Sequence, residues 1–213
     1  MGLFPRLPMI RRVAALALVL LLLAPLPVGA APPLPVSADY VMGRPSAPVL
    51  VEEYASPACT HCAKFANEVF PAFRAKYIET GRVRYVIRPL LTPPEQVSAA
   101  GFLLARCAGP KGYYAVLEGF FRRQEEAYRT GDVRSALIAA AAEGGLDRSA
   151  YNDCVSDPKG QAALDAEMNR SIARGIQFTP TFYFNGVKLE VNEPTLADLD
   201  AAYAAALKAR RKP

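Results

Sequence analysis

The sequence predicts an α/β fold made of a βαβ half and a ββα half, with an all-helical insertion between them. Three observations carry this. A β-branched and aromatic run at residues 49–54 is followed by a helical pattern and then by a second strand-like run at 82–88. Residues 92–174 hold several helix-period stretches and no convincing strand. After Gly175, two short β-type runs meet at Asn185-Gly186, and one more helical stretch follows.

The first run is almost continuously apolar apart from Glu52 and Glu53, as expected of a strand covered on both faces. The helix opening at or near Cys59 repeats apolar residues at Phe65, Val69, Phe73 and Tyr77, which keeps them on one face. Pro71 should kink that helix or divide it, and Gly81 ends it. The run at 82–88 alternates in its first half and is closed by Pro89, which completes a βαβ unit with a right-handed crossover. In the insertion, Val97, Gly101 and Leu104 share a face of a helix that ends at Gly109-Pro110. An aromatic-rich helix covers 113–122 or beyond, and a third spans Val133–Glu143 before Gly144-Gly145. A short fourth surrounds Cys154, and Asp157-Pro158 is the N-cap and first-turn pair of a fifth that runs to 174. Asn185-Gly186 between the runs at 181–184 and 187–191 calls for a two-residue type I′ hairpin. Thr195 and Asp198 form a capping-box-like start for the last helix.

The compartment is read from the first 30 residues. Arg6, Arg11 and Arg12 precede an apolar run at 13–23 and small residues ending at Ala30, the pattern of a secretory signal cut after Ala30. The apolar run is shorter than the roughly 20 residues of a membrane span; an uncleaved anchor is the competing reading. Residues 31–39, with Pro32, Pro33 and Pro35, form an extended lead-in. The expected layout is then 40–91 for the first half, 92–174 for the insertion and 175–213 for the second half. The chain carries 25 Lys plus Arg against 20 Asp plus Glu, but three of the arginines fall in the signal. The remainder is nearly balanced and has no basic stripe interleaved with aromatics, so nucleic acid is not an expected partner. A periplasmic location follows from the signal, and it places all four cysteines in an oxidising space.

Cys59 and Cys62 are the centre of the functional reading. A cysteine at a helix N-terminus meets free backbone N–H groups and the positive end of the macrodipole, which favours its thiolate. Cys62 lies one turn further in, within reach of Cys59. Thiol–disulfide exchange needs such a pair: Cys59 to form the mixed disulfide, Cys62 to resolve it. His61, between them, favours the Cys59 thiolate as a donor or a cation. That stabilises the reduced form and makes the disulfide more oxidising. The competing readings are a structural disulfide or half of a zinc site. Zinc needs closely grouped ligands, whereas His61 is the single histidine and the other cysteines are distant in sequence. No metal and no cofactor is therefore expected. Cys107 and Cys154, both in the insertion, are read as a structural disulfide, with two free buried thiols as the alternative.

A strand, a Cys-x-x-Cys that opens a helix, and Thr179-Pro180 just before a ββα ending together resemble the thioredoxin fold. The helical insertion, Ala47-Pro48-Val49 and Cys59-Thr60-His61-Cys62 are similar to the DsbA-like thiol-disulfide oxidoreductases, over residues 39–208. Thr60 departs from that pattern, since many members carry proline there. The resemblance implies that Pro180 is cis and faces the cysteines, leaving Thr179 free to pair with a substrate peptide; a trans proline opening an edge strand is the alternative. It also implies a buried acid beneath the cysteines. Glu53 fits, its pKa raised by burial so that it takes the proton of Cys62 during resolution. Strand alternation lets only one of Glu52 and Glu53 do this, and the competing reading leaves both on solvated surface.

The implied function is periplasmic donation of the Cys59–Cys62 disulfide to reduced or misfolded secreted proteins, with a membrane or soluble redox partner to restore it. A monomer is expected; residues 31–39 leave no room for the N-terminal dimerisation module that a dimeric isomerase usually needs. A reductase or isomerase working with the centre reduced is the first alternative, and Thr179 before the proline suits it too. A chaperone or binding module without turnover is the second, and the intact Cys-x-x-Cys argues against it.

Overall fold

The computed structural model describes residues 40–210; the expected signal, the lead-in at 31–39 and the last three residues lie outside the described residues. The central strand is β1 (Val49–Ala55), whose seven residues are all buried. β2 (Val83–Pro89) pairs with it in parallel, with Val51 opposite Tyr85 and Glu53 opposite Ile87. On its other side β3 (Thr181–Phe184) runs antiparallel, with Glu53 opposite Phe182. The two-residue β4 (Val187–Lys188) forms the outer edge, so the sheet order is β2-β1-β3-β4. Asn185 and Gly186 both have positive φ, 47° and 84°, which is what a type I′ hairpin demands of its two central residues. The Asn185 side chain then accepts from the Leu50 N–H at 2.8 Å, tying the hairpin to β1.

Between β1 and β2 the chain forms α1 (Thr60–Glu68), α2 (Phe70–Phe73) and one π-helical turn, Arg74–Ile78. The division falls where Pro71 predicts it, because proline is accepted in the first turn of a new helix and not inside an old one. Phe65, Phe70, Phe73 and Tyr77 are buried against the sheet face that carries Val49 and Val51.

The insertion comprises α3 (Glu95–Cys107), α4 (Gly109–Thr130), α5 (Val133–Glu143), α6 (Ala150–Ser156) and α7 (Pro158–Ala173). The last element among the described residues is α8 (Leu196–Arg210). Helix α4 starts earlier than expected. Gly109, with φ 68°, makes the break and Pro110 occupies the first turn, where its missing N–H costs nothing. Strand β4 stops sooner than the expected 191, since as an edge it has only the four-residue β3 to pair with. Cys107, at the end of α3, is disulfide-bonded to Cys154 in α6, 47 residues away. A closed loop of that length stabilises by about 4 kcal/mol on the chain-entropy model.

Alternation along β1 divides its side chains between two environments. Val49, Val51 and Ala55 join the main core with α1, α2, α3 and α4, whereas Tyr54 belongs to a smaller cluster with Leu90, Ile176 and Met168 of α7. Glu52 points to that second face. There it accepts from Arg88 Nε at 3.2 Å and from Arg174 Nη1 at 3.0 Å, the latter also donating to the Tyr54 hydroxyl at 2.9 Å. Glu53 points to the first face, beneath α1.

Candidate active site

The turn from β1 into α1 is built from short-range hydrogen bonds. Ser56 is fully buried; its carbonyl accepts from the Cys59 N–H at 3.1 Å and its hydroxyl oxygen from the Ala58 N–H at 3.2 Å. The Ser56 hydroxyl also meets Ser98 at 2.6 Å and accepts from the Thr92 hydroxyl at 2.9 Å, which locks the turn to the start of the insertion. Cys59 is the N-cap of α1, with extended backbone (φ −77°, ψ 120°), and its Sγ accepts from the Cys62 N–H at 3.2 Å. This is the side-chain cap that a serine or aspartate commonly provides, here made by sulfur.

Across from the thiol runs the loop into β3. The Thr179–Pro180 peptide is cis, and the Thr179 carbonyl lies 3.4 Å from Cys59 Sγ, which donates to it as a thiol. The structure thus brings Cys59, Thr179 and Pro180 together. Cys62 is fully buried behind Cys59.

The two thiols are driven apart in acidity. The Cys62 thiol donates to Cys59 and lowers its pKa to about 6; burial opposes this, while Thr179 and the backbone N–H groups of Cys62 and His61 assist. Cys62 is pushed well above an ordinary thiol, first by burial and then by its bond to Cys59 and the charges of Cys59 and Glu53. Glu53, 2% exposed, is raised to about 8 by burial, with the Tyr85 hydroxyl opposing and the Cys59 charge adding. Tyr85 donates to the Glu53 carboxylate from β2. At neutral pH Glu53 therefore holds a proton beside the dithiol.

His61 acts on Cys59 through its backbone. Its ring is 60% exposed, with Nδ1 2.8 Å from a Glu193 carboxylate oxygen; the other oxygen accepts from Lys64 at 2.9 Å. Nothing in the linear pattern marks Glu193, which lies far along the chain in the loop before α8. This loop and α1 flank a groove of about 310 Å³ that reaches Pro180, floored by Phe65, Val69 and Pro194 and rimmed by His61, Lys64 and Glu193. Sequence reasoning also missed Gln124 and Tyr128 of α4, whose side chains donate to carbonyls of the Pro57–Cys59 turn. Their one visible signal, a four-residue spacing on an aromatic helix, is that of ordinary core.

A low-pKa cysteine capping a helix, a buried partner one turn on and a cis-proline loop facing them define a dithiol centre on a thioredoxin fold. The chain belongs to the thioredoxin family: the family model of that description matches residues 36–202. With the helical insertion in place it is a DsbA-like member. The solved alpha-DsbA1 of Wolbachia pipientis superposes with a TM-score of 0.70 at 27% identity, over 84% of this chain and 97% of that one. BdbD of Bacillus subtilis, at 18% identity and a TM-score of 0.66, covers 80% of this chain and 93% of its own and shares the fold. A candidate protein-disulfide oxidoreductase of Rickettsia conorii is 33% identical over 153 residues, 70% of this chain and 54% of that protein. The chain spans about half the length of these curated relatives.

Proposed function

We propose that the protein is a periplasmic thiol-disulfide oxidoreductase that donates the Cys59–Cys62 disulfide to reduced secreted proteins. The observation that carries this reading is the split between the two thiols, Cys59 held at about 6 and Cys62 far above an ordinary cysteine. A favoured Cys59 thiolate stabilises the reduced centre. The oxidised centre gains nothing from it, so the disulfide becomes a stronger oxidant.

The residues divide the reaction as follows. A substrate segment lies against Thr179 and Pro180, with apolar side chains in the groove floored by Phe65 and Val69. A substrate thiolate attacks Cys59 Sγ, the Cys59–Cys62 bond breaks, and a mixed disulfide forms. Cys62 leaves with the bonding pair and takes a proton, for which Glu53 is the donor. A second substrate thiolate then attacks the substrate sulfur, and Cys59 departs as the thiolate its surroundings favour. The substrate has lost two electrons and gained a disulfide, and the centre holds both electrons. A redox partner, membrane-bound or soluble, accepts them, and Glu53 as carboxylate takes back the Cys62 proton. The leader read from the sequence supports a periplasmic setting.

Equilibration of the purified protein with glutathione buffers tests the direction. A potential near about −120 mV is expected of an oxidant, and one near about −270 mV makes the protein a reductant and sinks the proposal. Cys59→Ser is expected to abolish exchange with a reduced dithiol peptide; unchanged exchange removes the mechanism.

A further inference from the structure

Gln124 is buried inside α4, yet its side-chain amide is spent outside the insertion. Its Nε2 donates to the carbonyl of Pro57 at 2.6 Å and to that of Cys59 at 3.2 Å. Tyr128, four residues on and so on the same helix face, donates its hydroxyl to the Ala58 carbonyl at 3.1 Å. Three successive carbonyls of the active-site turn, at 57, 58 and 59, are therefore each engaged by one helix of the insertion.

Those carbonyls matter electrostatically. Each carries negative partial charge within a residue or two of the sulfur that must become a thiolate. Drawn toward α4, they leave Cys59 Sγ to the Cys62 N–H at 3.2 Å and to the start of α1. The Cys59 carbonyl also accepts from the Ala63 N–H at 3.1 Å, so the carbonyls of Pro57 and Ala58 are the ones that rely on α4. Without those donors they seek other partners, and the turn that aims Sγ is the part free to move. A core glutamine placed only for packing has no need of two acceptors on the catalytic turn.

We propose that Gln124, with Tyr128 one turn further along, is a positioning residue for Cys59: the helical insertion holds the carbonyls of the catalytic turn away from the sulfur and so sets its reactivity. The proposal deepens the function proposed above and rests on it for its consequence, but its test needs no substrate.

The experiment is a titration of the reduced, purified protein, following thiolate absorbance near 240 nm against pH, beside thermal unfolding of the same samples. Gln124→Met keeps the length and apolar bulk but loses the donors; it is expected to raise the Cys59 midpoint by roughly one unit. Gln124→Glu, of the same shape, adds negative charge beside the same carbonyls and is expected to raise it further. Tyr128→Phe removes one hydroxyl at a half-buried site and is expected to give a smaller shift of the same sign. A role in stability alone lowers the melting temperature and leaves the midpoint where it was; that result in folded Gln124→Met overturns the proposal. Should Gln124→Met fail to fold, an unchanged midpoint in Tyr128→Phe overturns it equally. A shifted midpoint in a protein without exchange activity upholds the positioning role and removes the proposed function, so the two failures are distinguishable.

Discussion

Glu53 is fully buried under the dithiol, and its pKa near 8 sets both its chemistry and a stability signature. Its carboxyl is protonated in the folded protein up to about pH 8 but, unfolded, only to its ordinary 4.5. The folded state thus binds the extra proton in that window. The associated stability is complete below about 4.5 and is lost as pH rises through about 8. Glu53→Gln removes this dependence. In the oxidised protein, where Cys59 carries no charge, the variant should gain on the parent between pH 5 and pH 9 by on the order of a few kcal/mol. Urea unfolding at the two pH values measures it, and parallel stability curves would place Glu53 in a wetter site than the geometry allows. The same substitution leaves Cys62 without its acid as it departs. Single-turnover oxidation of a dithiol peptide at pH 7 should slow by roughly a hundredfold, the low end of general acid–base effects.

At the scale of the element, β1 shows what alternation says and what it leaves unsaid. Adjacent glutamates on a strand must face opposite ways, and that much follows from the residues alone. That both would be buried does not, because burial depends on what covers each face. The cover for Glu52 is Arg88 from β2 and Arg174 from the end of α7, the latter 122 residues away in sequence. Cys59, Cys62 and Pro180 were legible because a short local pattern carries each of them. Glu193, Gln124, Tyr128 and Tyr85 were not, because each reaches the site only through tertiary packing. The two glutamates therefore predict opposite behaviour. Glu52→Gln leaves two buried guanidinium groups without their shared carboxylate, and breaking a buried ion pair costs about 3–5 kcal/mol. That loss should appear in urea unfolding, with exchange chemistry little changed in the folded fraction. A gain in stability for Glu52→Gln would mean the two faces have been interchanged.

For the whole molecule, the redox state of one pair of sulfurs should be readable in the stability of the entire fold. The turn holding Cys59 is gripped from three sides: Ser98 and Thr92 at the head of the insertion, Gln124 and Tyr128 of α4, and the Thr179 carbonyl before β3. Whatever favours the thiolate in that turn is felt as folding free energy of the reduced protein. Cys59 is lowered from an ordinary 9.0 to about 6, so its contribution is present in full above the ordinary value and is lost as pH falls through about 6. Cys62, raised well above 9.0, acts in the opposite sense only at higher pH, where it would ionise in the unfolded chain. Between those limits the reduced protein should outlast the oxidised one in denaturant, by a margin that shrinks from pH 8 to pH 5. Matched unfolding curves of the two redox forms at those pH values test this. An oxidised form more stable at every pH would mean that closing the Cys59–Cys62 ring relieves the site rather than loading it, and electrons would then flow from the protein to its substrates.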